Sequence, residues 1–378
     1  KGSLESRECK QNTNCYVPPI KKDNKKPGWV FFKDFEFPKG ASIEGFTKNG
    51  SMMVTEYMEE DTSGLYEYDL RKNTYELIYR HPSVDISGVA TSRDDGPYRI
   101  TIDDGKPEYL YLSEPNRLKD LHLQFYNAFP GSKTSITSRS DDYTKAIGVV
   151  SADNNPGVYY LLDTERNRIS PLGRYWAKTS YDSLAKMEVI NFQNRHGDKI
   201  QSYLTRAVGK TNAPTIVMPH GGPWARDYWR FDPEVQFLAA EGFNVIQNNI
   251  RGSTGYGRNH LNSANKQWGR TMQNDVTDAV NWAINQGIAN PDKICIHGAS
   301  YGGYAVMAGI TKTPDLYKCA VNYVGVTDME LLFDKMPKRW EHLMEQQKVQ
   351  TGDPVKDAEL LKSVSPIEMV DRIKTPLY

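Results

Sequence analysis

Between Trp29 and about Arg206, apolar and polar positions alternate in short runs separated by clusters of Gly, Asn, Asp and Pro. A period of two marks half-buried strands, predicted at Ser51–Tyr57, Gly64–Leu70, Tyr98–Ile102, Glu108–Leu112, Lys145–Val150 and Val158–Leu162. A tyrosine-rich strand after a tight turn recurs three times: S-G-L-Y-E-Y-D (63–69), P-E-Y-L-Y-L (107–112) and P-G-V-Y-Y-L-L-D (156–163). Tyr66, Tyr109 and Tyr159 are 43 and 50 residues apart. A period of roughly 40–50 residues, filled by several short strands, predicts β-propeller blades. An irregular β-sandwich is the alternative that so degenerate a repeat leaves open.

Near Lys186 the rhythm changes. Strands are predicted at Met187–Phe192 and Ile200–Arg206, around the turn R-H-G-D. Thereafter strands (Pro214–Pro219, Phe243–Asn248, Lys293–Ile296, Lys318–Tyr323) alternate with helices (Pro233–Glu241, Asp275–Gln286, Tyr304–Thr311). Continuous apolar strands alternating with helices predict a parallel sheet covered on both faces. The expected division is residues 1–185 for the blades and 186–378 for an α/β domain.

Composition narrows the partners. The 378 residues carry 47 basic and 47 acidic side chains, so no electrostatic reason favours nucleic acid or an anionic lipid surface. No apolar run approaches the roughly 18 residues that span a bilayer, and Lys1–Ile20 lacks a signal-peptide pattern. A homo-oligomer is compatible with the sequence, and the compartment stays open. Cys9 and Cys15 are close enough in sequence to pair in an oxidising compartment, although two free thiols are the favoured reading. Cys295 and Cys319, inside apolar runs, read as small core residues. No C-x-x-C pair marks a zinc site, and neither metal nor cofactor is expected.

The sharpest chemical feature is G-A-S-Y-G at 298–302, directly between a buried strand and an apolar helix. G-x-S-x-G in that setting is a nucleophile elbow, which lifts the Ser300 hydroxyl clear of the sheet beside a helix N-terminus. The second feature, P-H-G-G-P-W at 219–224, follows another buried strand. Acyl transfer needs N–H donors aimed at a tetrahedral oxyanion, and glycines let backbone approach it. The expected donors are the N–H groups of Tyr301 and Gly222. His220 precedes the serine, against the Ser–Asp–His order of α/β-hydrolases, and reads as a loop-fixing histidine. His297 also reads as structural. The glycines at 252, 255 and 257 miss the G-x-G-x-x-G spacing of a dinucleotide site.

P-H-G-G-P, N-N-I-R-G-S-T-G-Y-G (248–257), W-G (268–269) with D-V (275–276), and G-A-S-Y-G-G-Y (298–304) occur in order. Together they resemble the prolyl oligopeptidase family of serine peptidases, most closely its acylaminoacyl-peptidase and bacterial dipeptidyl-peptidase branch. The resemblance covers roughly residues 185–378. It implies a β-propeller on an α/β-hydrolase domain, short peptides as substrates, and no cofactor. It also implies an acyl-side pocket built by Tyr301, Val326, Met329, Leu332 and Phe333. All five are apolar, and Met329 and Leu332 stand where proline-selective relatives carry aromatics. Exopeptidases of the family hold a peptide's N-terminus with charged propeller residues. Here the acidic run Glu56, Glu59, Glu60, Asp61 reads more simply as a solvated loop.

Ser300 needs a base oriented by a carboxylate. His342 is the only later histidine and Asp328 follows the sixth strand, so Ser300–Asp328–His342 is conceivable, but His342 sits in a helical insertion. The resemblance instead places the acid and base beyond Tyr378. At roughly 45 residues per blade, residues 1–185 hold about four blades, fewer than the seven the resemblance implies, so part of a longer enzyme is expected. An esterase on the same fold, and an inactive binding module, are the competing expectations.

Overall fold

A computed structural model describes residues 41–378, apart from 70–71 and 113–114. Cys9 and Cys15 lie outside the described residues. The first part is built from three antiparallel meanders. The first runs β1 (Ser42–Phe46), β2 (Met52–Glu56), β3 (Gly64–Asp69) and β4 (Thr74–Arg80). The second runs β5 (Ile86–Ser92), β6 (Gly96–Asp104) and β7 (Lys106–Tyr111). The helix α1 (Arg117–Ala128) follows, then the third meander: β8 (Lys133–Arg139), β9 (Lys145–Ala152), β10 (Asn155–Asp163) and β11 (Arg168–Arg174). Tyr66, Tyr109 and Tyr159 fall on β3, β7 and β10, the third strand of each meander. The tyrosine period in the sequence is therefore the blade period of the fold.

The second meander has three strands, and α1 stands after its third. Asn116 caps α1 by accepting from the N–H groups of Leu118 and Lys119. Leu121 and Phe125 pack with Tyr143, Ala146 and Leu162 of the third meander. His122 is fully buried against Arg99, Tyr111 (2.7 Å) and the Thr134 carbonyl (3.0 Å). The helix thus fills the space between the second and third sheets.

The remainder is one six-stranded sheet. Its strands are β12 (Met187–Gln193), β13 (Lys199–Thr205), β14 (Thr215–Val217), β15 (Asn244–Asn248), β16 (Ile294–Ala299) and β17 (Cys319–Tyr323). The order is β12-β13-β15-β14-β16-β17, with β12 and β13 antiparallel and the last four parallel. Ala320 and Leu377 form a parallel bridge, so the last residues run along β17. The helices α2 (Pro233–Glu241), α3 (Gly257–Asn262), α4 (Thr271–Asn285) and α5 (Tyr301–Lys312) cover the sheet. They are followed by α6 (Met329–Asp334), α7 (Met344–Thr351) and α8 (Ala358–Ser363). Residues Tyr301–Thr311 of α5 are all buried, and with Leu204, Val217, Ile246, Ile294, Ile296, Val276 and Val280 they make the largest core.

One reading changes. Cys295 and Cys319, expected only as small core residues, are joined in a disulfide. They are register partners on the adjacent parallel strands β16 and β17, a pairing that sequence spacing does not display.

The meanders meet the sheet along a polar seam. The Asp85 N–H donates to Gly255 O (3.0 Å), and the Asp85 carboxylate accepts from Ser63 N–H (2.8 Å) and Gly257 N–H (3.3 Å). Arg258 donates to the carbonyls of Met58 (3.1 Å) and Glu60 (2.7 Å), while Asp61 accepts from Asn259 N–H (2.7 Å). Arg226 donates to Asp103 O (3.3 Å), and Tyr203 to Gly105 O (3.1 Å). The acidic run is therefore not simply solvated: Asp61 is docked, and Glu56 is only 6% exposed.

Candidate active site

Strand order brings the two sequence motifs together. β14 and β16 are neighbours, so the H-G-G-P loop and the serine turn leave the same end of the sheet side by side. This is the carboxyl edge of parallel strands, where open α/β sheets bind ligands. Ser300 sits at φ 59°, ψ −119°, a left-handed conformation that costs a non-glycine residue about 1–3 kcal/mol. Two backbone bonds hold it there: Ser300 N–H to Tyr323 O (3.0 Å), and Tyr304 N–H to Ser300 O (3.0 Å). The result is an exposed serine above a buried helix.

The elbow closes only because side chains are missing at two positions. A Cβ on Gly298 would stand 2.6 Å from the Gly302 carbonyl carbon and oxygen. A Cβ on Gly302 would stand 2.2 Å from Pro219 O. The start of α5 is thus pressed against both its own strand and the oxyanion loop. Tyr301 N–H opens α5, where helix geometry leaves the first donors without intrahelical partners. Gly221 lies against the nucleophile, since a Cβ on it would be 3.7 Å from Ser300 Cβ.

His220 lies between two partners, with Nδ1 2.7 Å from Gly221 O and Nε2 2.8 Å from Ser253 Oγ. His297 Nε2 meets Glu234 Oε1 at 2.6 Å on α2, away from the elbow turn. Asp328 caps α6, accepting from the N–H groups of Glu330 (2.9 Å) and Leu331 (3.0 Å). His342 is exposed on the short 3₁₀ helix Lys338–Leu343. No hydrogen bond joins Ser300, Asp328 and His342 among the described residues, so this triad is not assembled.

Of the residues expected to line the acyl pocket, Tyr301, Met329 and Phe333 are buried in the main core, and Val326 and Leu332 pack against it half-buried. The Tyr301 ring lies edge-on to Trp268, with centroids 4.6 Å apart. Burial pushes the Tyr301 phenol well above its ordinary range, so it stays neutral. Burial likewise raises Asp227, which is held by Gln247 and the Asn249 amide.

Sequence reasoning missed the partner of His220. Ser253 belongs to R-G-S-T-G-Y-G, whose Arg251 donates to the fully buried Asp275 from its backbone N–H (3.0 Å), Nε (2.8 Å) and guanidinium (3.0 Å). It missed a cavity of about 300 Å³ as well, on the seam between Glu56, Tyr57 and Asp85 on one side and Arg226, Tyr228 and Thr254 on the other. Glu56 Oε2 is buried there and makes no hydrogen bond among the described residues.

Residues 229–378 match the prolyl oligopeptidase family. The chain is 31% identical over 368 residues to dipeptidyl aminopeptidase BIII of Pseudoxanthomonas mexicana, covering 92% of this chain and 52% of that protein.

Residues 229–378 belong to the prolyl oligopeptidase family.

The acylamino-acid-releasing enzyme of Arabidopsis thaliana, another similar protein, is 29% identical over 187 residues, 46% of this chain and 24% of that one. A puromycin-hydrolyzing peptidase of Mycobacterium tuberculosis superposes with a TM-score of 0.72 at 20% identity, covering 89% of this chain and 53% of that one. The fold is that of the family, β-propeller blades followed by an α/β-hydrolase. The chain spans about half the length of the dipeptidyl aminopeptidase and of these structures.

Proposed function

We propose that the protein is a serine peptidase that cleaves short peptides through an acyl-enzyme on Ser300. The observation that carries this reading is the exposed, strained Ser300 beside a glycine loop at the carboxyl edge of the sheet. In the first step Ser300 Oγ bonds to the scissile carbonyl carbon while a base takes its proton. The carbonyl π electrons move onto oxygen, and the N–H groups of Tyr301 and Gly222 receive that charge. Collapse breaks the C–N bond, the amine leaves with the proton, and an ester on Ser300 remains. Water reverses these roles and releases the acid. In this fold a histidine–carboxylate pair that follows the serine in the chain supplies the base. An uncharged side chain beside the scissile bond suits the apolar side chains of Val326, Met329, Leu332 and Phe333.

Between a dipeptidyl mode and an acylaminoacyl mode, the seam cavity favours the first. Glu56 and Asp85, which line it, suit a free ammonium better than a blocked N-terminus. The test is fluorophosphonate labelling of the full-length protein, followed by turnover of dipeptidyl, acetyl-aminoacyl and simple ester substrates. Labelling lost in Ser300→Ala supports the peptidase. A wild-type protein that never labels would leave only a binding module. Preference for simple esters would support an esterase. Faster acetyl-aminoacyl turnover, unchanged in Glu56→Gln, would overturn the dipeptidyl mode.

A further inference from the structure

We infer that Ser253 and His220 form a relay that aims the Gly222 N–H, making both of them positioning residues for the oxyanion. The inference rests on the acyl-enzyme reading above and specifies how its oxyanion site is held.

The direction of the relay follows from donor chemistry. A carbonyl oxygen can only accept, so His220 Nδ1, 2.7 Å from Gly221 O, carries a hydrogen and donates it. In the neutral ring Nε2 must then accept, and the Ser253 hydroxyl 2.8 Å away donates to it. The sequence of bonds therefore runs from Ser253 O–H to the ring, and from the ring to the Gly221 carbonyl.

That carbonyl is the useful end. Gly221 C=O and Gly222 N–H belong to one planar peptide, and in a trans peptide they point in opposite directions. Fixing the oxygen fixes the hydrogen. The peptide is flanked by glycine on both sides, with Gly222 at φ 125°, so its own torsions restrain it weakly. A donor on the carbonyl also polarises the amide and strengthens the opposite N–H as a donor.

Ser253 is fully buried, so its hydroxyl has no solvent to turn to. The loop carrying it is anchored separately, by Arg251 on Asp275 and by Thr254 N–H on Ala225 O (2.9 Å). Anchoring and aiming thus fall to different groups, and the hydroxyl can be removed while the anchors stay.

The experiment uses the full-length protein, with Ser300 labelling of the wild type established first. Ser253→Ala should lower kcat by about 10- to 100-fold, below the loss of a whole oxyanion donor, with KM within about twofold. Its denaturation midpoint should stay near wild type, and Ser253→Thr, which keeps the hydroxyl, should regain most of the rate. In His220→Asn, whose amide N–H can meet Gly221 O but not Ser253, adding Ser253→Ala should change nothing further. Wild-type kcat in Ser253→Ala, or the same loss in the His220→Asn background, would overturn the relay. Where Ser253→Ala does not fold, His220→Asn and His220→Ala decide: equal rates sink the proposal, and a faster His220→Asn supports it. Failure of the wild type to label would instead overturn the peptidase reading itself.

Discussion

Substituting Gly302 with alanine tests whether the elbow depends on close packing. Gly302 is helical, so an alanine suits its torsions and only space is at issue. The new Cβ would lie 2.2 Å from Pro219 O and 3.4 Å from His220 O. Cβ atoms essentially never come within 3.0 Å of such a neighbour, so α5 and the strand end before the oxyanion loop must part by about 1 Å. Overpacking of this kind costs roughly 1–3 kcal/mol. The functional cost is larger, because the displaced parts are the two halves of the oxyanion site, and a misplacement of about 1 Å costs roughly 100-fold. The assay pairs the second-order rate of fluorophosphonate labelling with the urea midpoint. Gly173→Ala is the control, since nothing lies within 4 Å of its added methyl. Labelling of Gly302→Ala within about threefold of wild type would refute the packing argument.

Two further outcomes follow from buried charge. Asp275→Asn should destabilise by about 3–5 kcal/mol in urea unfolding, because it strips Arg251 of a fully buried partner; a loss under 1 kcal/mol would show that Asp198, 3.3 Å from Arg251, suffices. Burial, aided by the Arg99 guanidinium, pushes His122 down to about 4 from an ordinary value of about 6.5. Between those values the unfolded chain binds the extra proton. Its contribution is therefore complete above pH 6.5 and lost as pH falls to about 4, a change on the order of 3 kcal/mol. Urea midpoints at pH 7 and 4.5 should converge in His122→Gln, and an unchanged pH slope there would refute the assignment.

How much was legible depended on how local the determinants were. α2 could be read to both ends, since Asp232 caps it, Pro233 occupies its first turn and Gly242 closes it at φ 94°. The elbow was legible because a motif and its strand–helix setting coincide. β8 and β11 escaped notice because they are mostly exposed and polar, and β11 contains Pro171. α1 was missed although Asn116 followed by Leu118, Leu121 and Phe125 carries a helical signal. The surrounding strand rhythm masked it. The Cys295–Cys319 bridge and the Ser253–His220 bond were beyond reach, since each depends on which strands become neighbours in space.

The seam has a consequence for how the two parts can diverge. On the propeller side most of its bonds end on main-chain carbonyls: Met58, Glu60, Asp103 and Gly105. A carbonyl is present whatever side chain its residue bears. Substitutions at 58, 60 and 103 therefore leave the mating surface intact as long as the strand path is kept. Asp61 and Asp85 are different, because they offer carboxylates to backbone N–H groups across the boundary. Asp104 and Asp153 do the same, toward the Gln201 amide and the Met187 N–H. Blades of quite different sequence could thus be exchanged on this hydrolase, with these four aspartates as the part of the joint that must travel with them.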